Sequence, residues 1–342
     1  NSTLNIGLPS PSPVAPSDLP TALELYQSGN LVQAERLYRQ ALQANPDQVD
    51  ALHVLGVLLC QTKRFEEAIP LFQRLLELQP GFADGWRNLG GAWQEQGDFE
   101  QAASHYQRAI ALQPNDADVH QNLGIALLEL DRPDEAVIHA KRVLALKPSA
   151  DAHYNLGYAL RRAGKVEDAI AAYRQAIALQ PDLVAAHKNL GHALLLTGEF
   201  EAGFREIEWR WQQEGWAPRP FTEPQWDGSD LNGKTILLYA EQGIGDTLHF
   251  IRYVPLVKAK GGRVIVECQA ALVNLLSHIS EIDQLIPQDS KLPDFDVHAP
   301  LMSLPHLCGT TLETVPATIP YLPIPPSPFR LSDPVEAHPA IP

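Results

Sequence analysis

The sequence contains little cysteine, fewer basic than acidic residues and no long apolar run. Its three cysteines, Cys60, Cys268 and Cys308, are widely separated and odd in number, so neither a disulfide framework nor paired metal ligands are indicated. Lysine and arginine total 26 against 41 aspartates and glutamates, and the net charge of -15 argues against nucleic-acid binding. No apolar run approaches the roughly 20 residues of a transmembrane helix. We therefore predict no nucleic-acid partner and no membrane span.

The two ends of the chain differ in composition from the rest. The first 20 residues, NSTLNIGLPSPSPVAPSDLP, lack the basic region and the apolar core of a signal peptide and predict a flexible leader. Residues 321–342 are proline-rich and resemble an interdomain linker. Because the cysteines suit a reducing compartment, a cytoplasmic location is expected. The length of 342 residues predicts two or more packed domains between these ends.

Proline, glycine and alanine recur over the first half of the chain with a period of 34 residues, shortened once to 33. The repeated positions are Pro46, Pro80, Pro114, Pro148 and Pro181; Gly56, Gly90, Gly124, Gly157 and Gly191; and Ala34, Ala68, Ala102, Ala136 and Ala169. The stretch WRNLGGAW, from Trp86 to Trp93, nearly reproduces the W-x2-L-G-x2-Y signature of tetratricopeptide repeats. Residues 21–213 therefore resemble about five and a half to six such repeats.

Each repeat is predicted to contain two helices. The glycine of the first helix and the alanine of the second allow a close crossing, and the proline ends the second helix because it cannot continue the hydrogen-bond ladder. One pair of helices cannot bury its apolar face alone. Neighbouring repeats are therefore expected to stack into an all-α superhelix.

A row of asparagines predicts a peptide-binding groove. Asn88, Asn122, Asn155 and Asn189 each precede the repeated Leu-Gly pair and lie on one stripe of the first helices, with Asp50, Asp84, Asp118 and Asp151 near the helix starts. An asparagine amide both donates and accepts hydrogen bonds, so a regular row can hold an extended peptide backbone. The row is similar to the asparagine ladder of O-linked N-acetylglucosamine transferase. Two alternatives stay open: the asparagines bond to neighbouring loops, and the aspartates are helix caps.

A second row contains Trp86, His120, His153 and His187 at one position of successive first helices. Packing between helices is favoured over a metal site, because metal ligands would need closer spacing and thiolate or carboxylate partners. No metal site and no cofactor are predicted.

After residue 213 the periodicity stops, and residues 214–232 form a predicted connector. Apolar runs at 235–240, 263–268, 284–287 and 296–300 alternate with helical segments, the first of which is expected to bend at Pro255. Short buried strands that alternate with helices are typical of a parallel sheet covered on both faces. Residues 233–320 are therefore predicted to form an α/β domain.

The loop YAEQGIGDTLHF, from Tyr239 to Phe250, follows the first predicted strand. It matches neither a Walker A motif nor the dinucleotide fingerprint. Gly243 and Gly245 are expected to permit tight backbone geometry, and Asp246 stands at a helix start. Asp246 is either an N-cap or a catalytic carboxylate at the carboxyl edge of the sheet.

The segment from WRWQQEG to YAEQGIGDTLHFIRY resembles the junction in bacterial proteins that join tetratricopeptide repeats to a family-nine glycosyltransferase domain, a family that includes the ADP-heptose heptosyltransferases. The resemblance implies a GT-B fold of two Rossmann-like domains. It also implies metal-independent, inverting transfer, with Asp246 as the general base and Gly243 and Gly245 in the acceptor-side loop. The later donor-domain motif has no counterpart in this sequence, so a nucleotide-sugar is expected to bind only with a further domain.

The sequence as a whole predicts a multidomain protein, with a tetratricopeptide-repeat superhelix followed by a Rossmann-like, half GT-B domain. The leading functional hypothesis is a glycosyltransferase whose repeats present a protein or glycan acceptor and whose donor half is absent, so that this chain alone is inactive. The alternative hypothesis is a non-catalytic repeat scaffold that binds other proteins.

Overall fold

The computed structural model describes residues 19–213, 215 and 219–322. These residues form two compact units, and the division in the sequence falls between Pro181 and Asp182. Most of the predicted leader, all but two residues of the predicted tail and part of the connector lie outside the described residues. Each unit is described by itself below.

The first unit consists of antiparallel helix pairs. Their first helices are α1 (Leu19–Gln27), α3 (Val49–Gln61), α5 (Ala83–Glu95), α7 (Ala117–Glu129) and α9 (Ala150–Arg162), and their second helices are α2 (Leu31–Ala44), α4 (Phe65–Leu78), α6 (Phe99–Leu112), α8 (Pro133–Leu146) and α10 (Val166–Leu179). Every second helix ends two residues before one of the repeated prolines. The predicted two helices per repeat are therefore confirmed in this unit.

The repeated small residues bring the two helices of a pair together. The repeated alanines of the second helices are at most 1% exposed. At three of the repeated glycines an added Cβ would come within 2.6–2.8 Å of a buried ring of the partner helix: Gly56 with Phe72, Gly90 with Tyr106 and Gly157 with Tyr173. Real Cβ atoms do not approach other atoms this closely, so glycine is required at these crossings.

The second unit begins with a further helix pair, α11 (Val184–Leu196) and α12 (Phe200–Ile207), which runs into a 3-10 helix at Glu208–Gln212. The sequence-based division placed this pair with the repeats, whereas the structure groups it with the sheet. The remaining helices of this unit are short: α13 (Ile244–Phe250), α14 (Val254–Lys258), α15 (Val273–Leu276) and α16 (Leu304–Leu307).

A four-stranded parallel sheet forms the core of the second unit. The strands are β1 (Thr235–Tyr239), β2 (Arg263–Cys268), β3 (Gln284–Pro287) and β4 (Val297–Pro300), in the order β3-β2-β1-β4. Thr235 pairs with Arg263 on one side of β1, and Ile236 pairs with Val297 on the other. All four predicted strands are present, and the predicted parallel arrangement is confirmed.

The sheet departs from the predicted helical cover on both faces. The core that contains Ile236, Leu238 and Val266 also includes residues of α14, α15 and α16. The opposite face, formed by Leu237, Ile265 and Ile286, is packed instead by Phe221, Leu292 and Phe295. The connection from β3 to β4, residues 288–296, contains no helix. The observed fold is therefore a small parallel sheet with helices on one face, and a Rossmann-like domain is not established.

The helical segment after β1 is interrupted as the proline suggests. A 3-10 turn at Ile251–Tyr253 separates α13 from α14, and Pro255 is in the first turn of α14. Proline has no N–H to donate to the carbonyl of Ile251, so the regular hydrogen-bond ladder cannot continue there.

Among the described residues, no helix combines the length and the apolar character that crossing a membrane requires.

Candidate functional site

The first helices of the first unit form a continuous surface. Contacts join α3 to α5, α5 to α7 and α7 to α9, in addition to the contacts within each pair. We call the surface along these four helices the groove. Asn88, Asn122 and Asn155 lie on it, one on each successive helix, and all three side chains are partly buried. Three of the predicted asparagines are thus brought into one row.

The three groove asparagines have different surroundings. Asn88 Nδ2 lies 3.1 Å from His53 Nε2, and Asn122 hydrogen-bonds to the Tyr106 side chain. Asn155 makes no side-chain hydrogen bond to any described residue. Asn189 lies in the second unit, where its Nδ2 donates to the carbonyl of Ala185 at 3.0 Å. These partners lie in helices, so none of the contacts is the bonding to neighbouring loops that the sequence left open as an alternative.

Two cavities open along the groove. A cavity of about 540 Å³ is lined by Asn88 and Asn122, and a more enclosed one of about 250 Å³ is lined by Asn155 together with apolar residues of α7 and α8.

The repeated aspartates are not N-caps: Asp118 and Asp151 are the second residues of their helices, and the capping side chains are those of Asp116 and Ser149. Acidic residues in the first turn still interact favourably with the helix dipole.

The second repeated row is explained by packing. Trp86 Nε1 donates to the carbonyl of Pro80 at 2.8 Å, and His120 Nε2 lies 3.1 Å from the carbonyl of Pro114. The two rings thus make the same contact with the repeated proline one turn before their helix. In the second unit, His187 Nδ1 lies 2.5 Å from Glu206 and its ring stacks on Trp209. These contacts support the packing interpretation.

Neither metal binding nor thiol chemistry is indicated in the part of the chain that the structure describes. It contains no group of three or more His, Cys, Asp or Glu side chains that could hold a metal ion. Burial raises the pKa of the Cys60, Cys268 and Cys308 thiols to about 11, so the nucleophilic thiolate is scarce near neutral pH.

The loop after β1 places Asp246 at the third position of α13. Gly243 is the N-cap residue, and its backbone N–H donates a hydrogen bond to Asp246 Oδ2 at 3.2 Å. Asp246 is therefore not the N-cap that the sequence suggested; it bonds back to the residue before the helix. The expected tight backbone geometry is also wrong, because Gly243 has φ −69° and ψ 169° and a Cβ on Gly245 would meet nothing within 4 Å.

A buried ionic cluster lies beside this loop, and no sequence pattern indicated it. Arg210, at the end of the helix pair, is bound to Glu241 through Nε at 3.0 Å and Nη2 at 3.2 Å. Arg210 also donates to Glu208 at 2.6 Å and to the Ser303 hydroxyl at 2.7 Å. Glu241 accepts a further bond from the N–H of Met302. The cluster joins the helix pair to the ends of β1 and β4.

The cluster contains two carboxylates for one guanidinium. The side chains of Arg210 and Glu241 are 4% and 3% exposed. Burial raises the pKa of Glu241 to about 7, and Arg210 opposes part of this shift. The Glu241 carboxylate near the carboxyl edge of β1 is therefore buried and held in an ion pair, while the predicted base Asp246 is more exposed.

Comparisons with known proteins identify the repeats. A family model described as tetratricopeptide repeat matches residues 25–89, and one described as TPR repeat matches residues 92–131 and 157–198. These matches confirm the predicted repeats. Nothing in the comparisons supports the predicted family-nine glycosyltransferase domain. The sequence has no significant match among curated proteins.

Several solved structures are similar to part of this chain. YrrB, titled a TPR protein with an unusual peptide-binding site, is 18% identical, with 51% of this chain and 91% of that chain covered and a TM-score of 0.47. MamA of Desulfovibrio magneticus is 20% identical, with 49% and 97% covered and a TM-score of 0.46. PilF of Pseudomonas aeruginosa is 20% identical, with 58% and 91% covered and a TM-score of 0.47.

Proposed function

We propose that the first unit binds an extended segment of a partner protein along the groove, so that the chain acts as an interaction scaffold. The observation that carries this proposal is the row formed by Asn88, Asn122 and Asn155, whose side chains line the two cavities between successive first helices. Tetratricopeptide repeats are stacked helix pairs whose extended concave surfaces serve as binding sites. A peptide backbone laid along this surface would meet amide groups at a spacing set by the repeat.

The unequal surroundings of the asparagines decide which one to test first. The Asn155 amide has no side-chain hydrogen bond among the described residues, so binding a peptide there would not require an existing bond to break. Asn88 would have to exchange its contact with His53, which reduces the net gain. We therefore assign the main contact with the peptide backbone to Asn155.

The experiment uses a fluorescent peptide selected from a random 12-residue library against the wild-type protein, with binding measured by fluorescence anisotropy. Asn155→Ala should weaken binding about five- to tenfold, the effect of one lost hydrogen bond, while the melting temperature hardly changes. The control is Asn274→Ala, which alters an exposed asparagine of the second unit. Equal affinities of the two variants, or a large loss of stability in Asn155→Ala, would count against the proposal.

Glycosyl transfer is a second candidate, and one observation favours it: Asp246 lies in the first turn of α13, which follows the carboxyl end of β1, where ligands of parallel sheets commonly bind. The test is Asp246→Asn in a protein that also contains a donor-binding domain. The asparagine can still accept the bond from Gly243 but is a very poor base, so turnover should fall at least about a hundredfold with the fold intact. Near-normal turnover would leave Asp246 a structural residue.

A further inference from the structure

The second helices share an aromatic residue at their eighth position, and one helix lacks it. Tyr38, Phe72, Tyr106 and Tyr173 occupy this position in α2, α4, α6 and α10, and all are at most 2% exposed. The corresponding residue of α8 is Ala140, which follows Tyr106 by 34 residues and precedes Tyr173 by 33. One repeat is therefore missing the ring that fills the same place in the others.

The missing ring leaves a space beside the repeated glycine of that repeat. A Cβ added to Gly90 or Gly157 would overlap the neighbouring ring at 2.7–2.8 Å. A Cβ added to Gly124 would meet its nearest atoms, in Ala136 and His139, only at 3.9 Å. The cavity of about 250 Å³ lies here, lined by Gly124, Ala140 and Val143 among others. The surrounding helices have not closed over the lost ring.

This cavity has the size and the lining of a site for an aromatic ring. An apolar cavity of about 150 Å³ is enough to bind benzene. The walls come from Leu128, Ala136, Ala140 and Val143, and the lining also includes the exposed Ile125 of α7 and the partly buried Asn155 of α9, which both lie on the groove. A side chain can therefore enter from the groove, beside the asparagine that we assign to the peptide backbone.

The lining does not separate an unsubstituted ring from a phenol. The Tyr106 hydroxyl donates to Gln94 at 3.1 Å, and the equivalent residue in the incomplete repeat is Leu128, which has no acceptor. Gln121, Glu129 and Asn155 also line the cavity, however, and their side chains offer hydrogen-bond acceptors for a ring hydroxyl.

We propose that this cavity binds an aromatic side chain of the partner peptide, phenylalanine or tyrosine, which supplies in trans the ring that the repeat lacks. The proposal rests on the peptide-binding function proposed above and names the residue that anchors the peptide. The same position in the neighbouring repeats is filled from within the chain, so this repeat alone among those of the described first unit offers the site.

The test compares nine-residue peptides with randomised flanks and a fixed central residue: Phe, Tyr or Ala. Phe- and Tyr-centred peptides should both bind the wild-type protein about ten- to a hundredfold more tightly than Ala-centred ones. Ala140→Phe fills the cavity from α8, so the advantage of phenylalanine should disappear while the weak binding of Ala-centred peptides stays. Ala171→Phe, the same change at an exposed position of α10, is the matched control.

The outcomes separate the two proposals. If no peptide of any class binds, the peptide-binding function fails. If peptides bind equally well with Phe and Ala at the centre, or if Ala140→Phe keeps the preference for Phe, the anchor site is overturned and the function stands. Should Ala140→Phe fail to fold, N-acetyl-phenylalanine amide titrated into the wild-type protein and followed by NMR provides the second measurement. Shifts confined to residues that line the cavity are expected, and no shift there refutes the anchor.

Discussion

The repeated glycines provide a test of the packing that requires no ligand. Gly90 and Gly124 are each the eighth residue of a first helix, α5 and α7 respectively. A Cβ on Gly90 would lie 2.8 Å from the Tyr106 ring and 3.2 Å from the carbonyl oxygen of Ala102. A Cβ on Gly124 would make only ordinary contacts, at 3.9 Å. The same substitution by alanine is therefore expected to have opposite effects at the two positions.

Two energies of similar size decide the sign. Alanine is favoured over glycine in a helix interior by about 1 kcal/mol. At Gly90 the new Cβ overlaps a fully buried ring, and overpacking of a core typically costs about 1–3 kcal/mol. At Gly124 there is no overlap to oppose the gain in helix propensity. We expect Gly124→Ala to stabilise the protein by up to about 1 kcal/mol and Gly90→Ala to destabilise it by up to about 2 kcal/mol.

Urea unfolding followed by circular dichroism at 222 nm measures both changes. Stacked repeats can unfold in parts, so the transition midpoint and its slope should be compared with the wild-type values before free energies are derived. Gly157→Ala is an additional control, since its Cβ would lie 2.7 Å from the Tyr173 ring. Effects of the same sign and size at Gly90 and Gly124 would refute the view that the incomplete repeat contains unfilled space.

Two further predictions concern buried charge and pH. Arg210→Met should lower the unfolding free energy of the second unit by about 3–5 kcal/mol, because the substitution leaves the buried Glu241 without its cation. Arg205→Ala breaks an exposed ion pair and should change the same free energy by less than about 1 kcal/mol. Burial, and then the neighbouring His120, lowers the pKa of His139. At pH values between this lowered pKa and the unfolded pKa of about 6.5, the unfolded chain binds more protons than the folded chain. The unfolding free energy should therefore fall as the pH drops from 7.5 to 5.5, and it should fall less in His139→Asn.

Chemical denaturation at fixed pH checks the arginine variants, and the same measurement repeated at pH 7.5 and 5.5 checks the histidine. Similar losses in the two arginine variants would mean that the buried ion pair is not needed to join the helix pair to the sheet. A midpoint independent of pH, or one that depends on pH equally with and without His139, would contradict the assignment.

Local patterns explain how much of the fold could be predicted. The helix pairs follow from the 34-residue period, because each repeated glycine, alanine and proline acts on its own pair of helices. The four strands follow from short apolar runs that fit a buried parallel sheet. The cover of the sheet could not be predicted in this way. It depends on the path between β3 and β4, and that connection crosses the sheet without forming a helix.

The candidate site residues show the same difference between what local sequence patterns predict and what only the packing decides. The asparagine row was predicted because the repeat fixes its spacing, but only the structure distinguishes Asn155 from Asn88, whose amide is close to His53. The loop glycines were misinterpreted, since neither adopts a backbone conformation that demands glycine. Asp246 was placed correctly at a helix start, but its bond to Gly243 follows from the exact start of α13.

The sequence by itself determined the repeats, the strands and the positions at which small and aromatic residues recur. It also shows which repeat lacks the aromatic ring, since Ala140 interrupts the series Tyr38, Phe72, Tyr106 and Tyr173. The tertiary structure decided whether that gap closes and which distant charges meet. Neighbouring helices could have moved in to fill the space, and Arg210 and Glu241 are 31 residues apart with no periodic relation. Periodicity describes interactions within and between adjacent repeats, whereas cavities and buried ion pairs depend on how several elements pack at once.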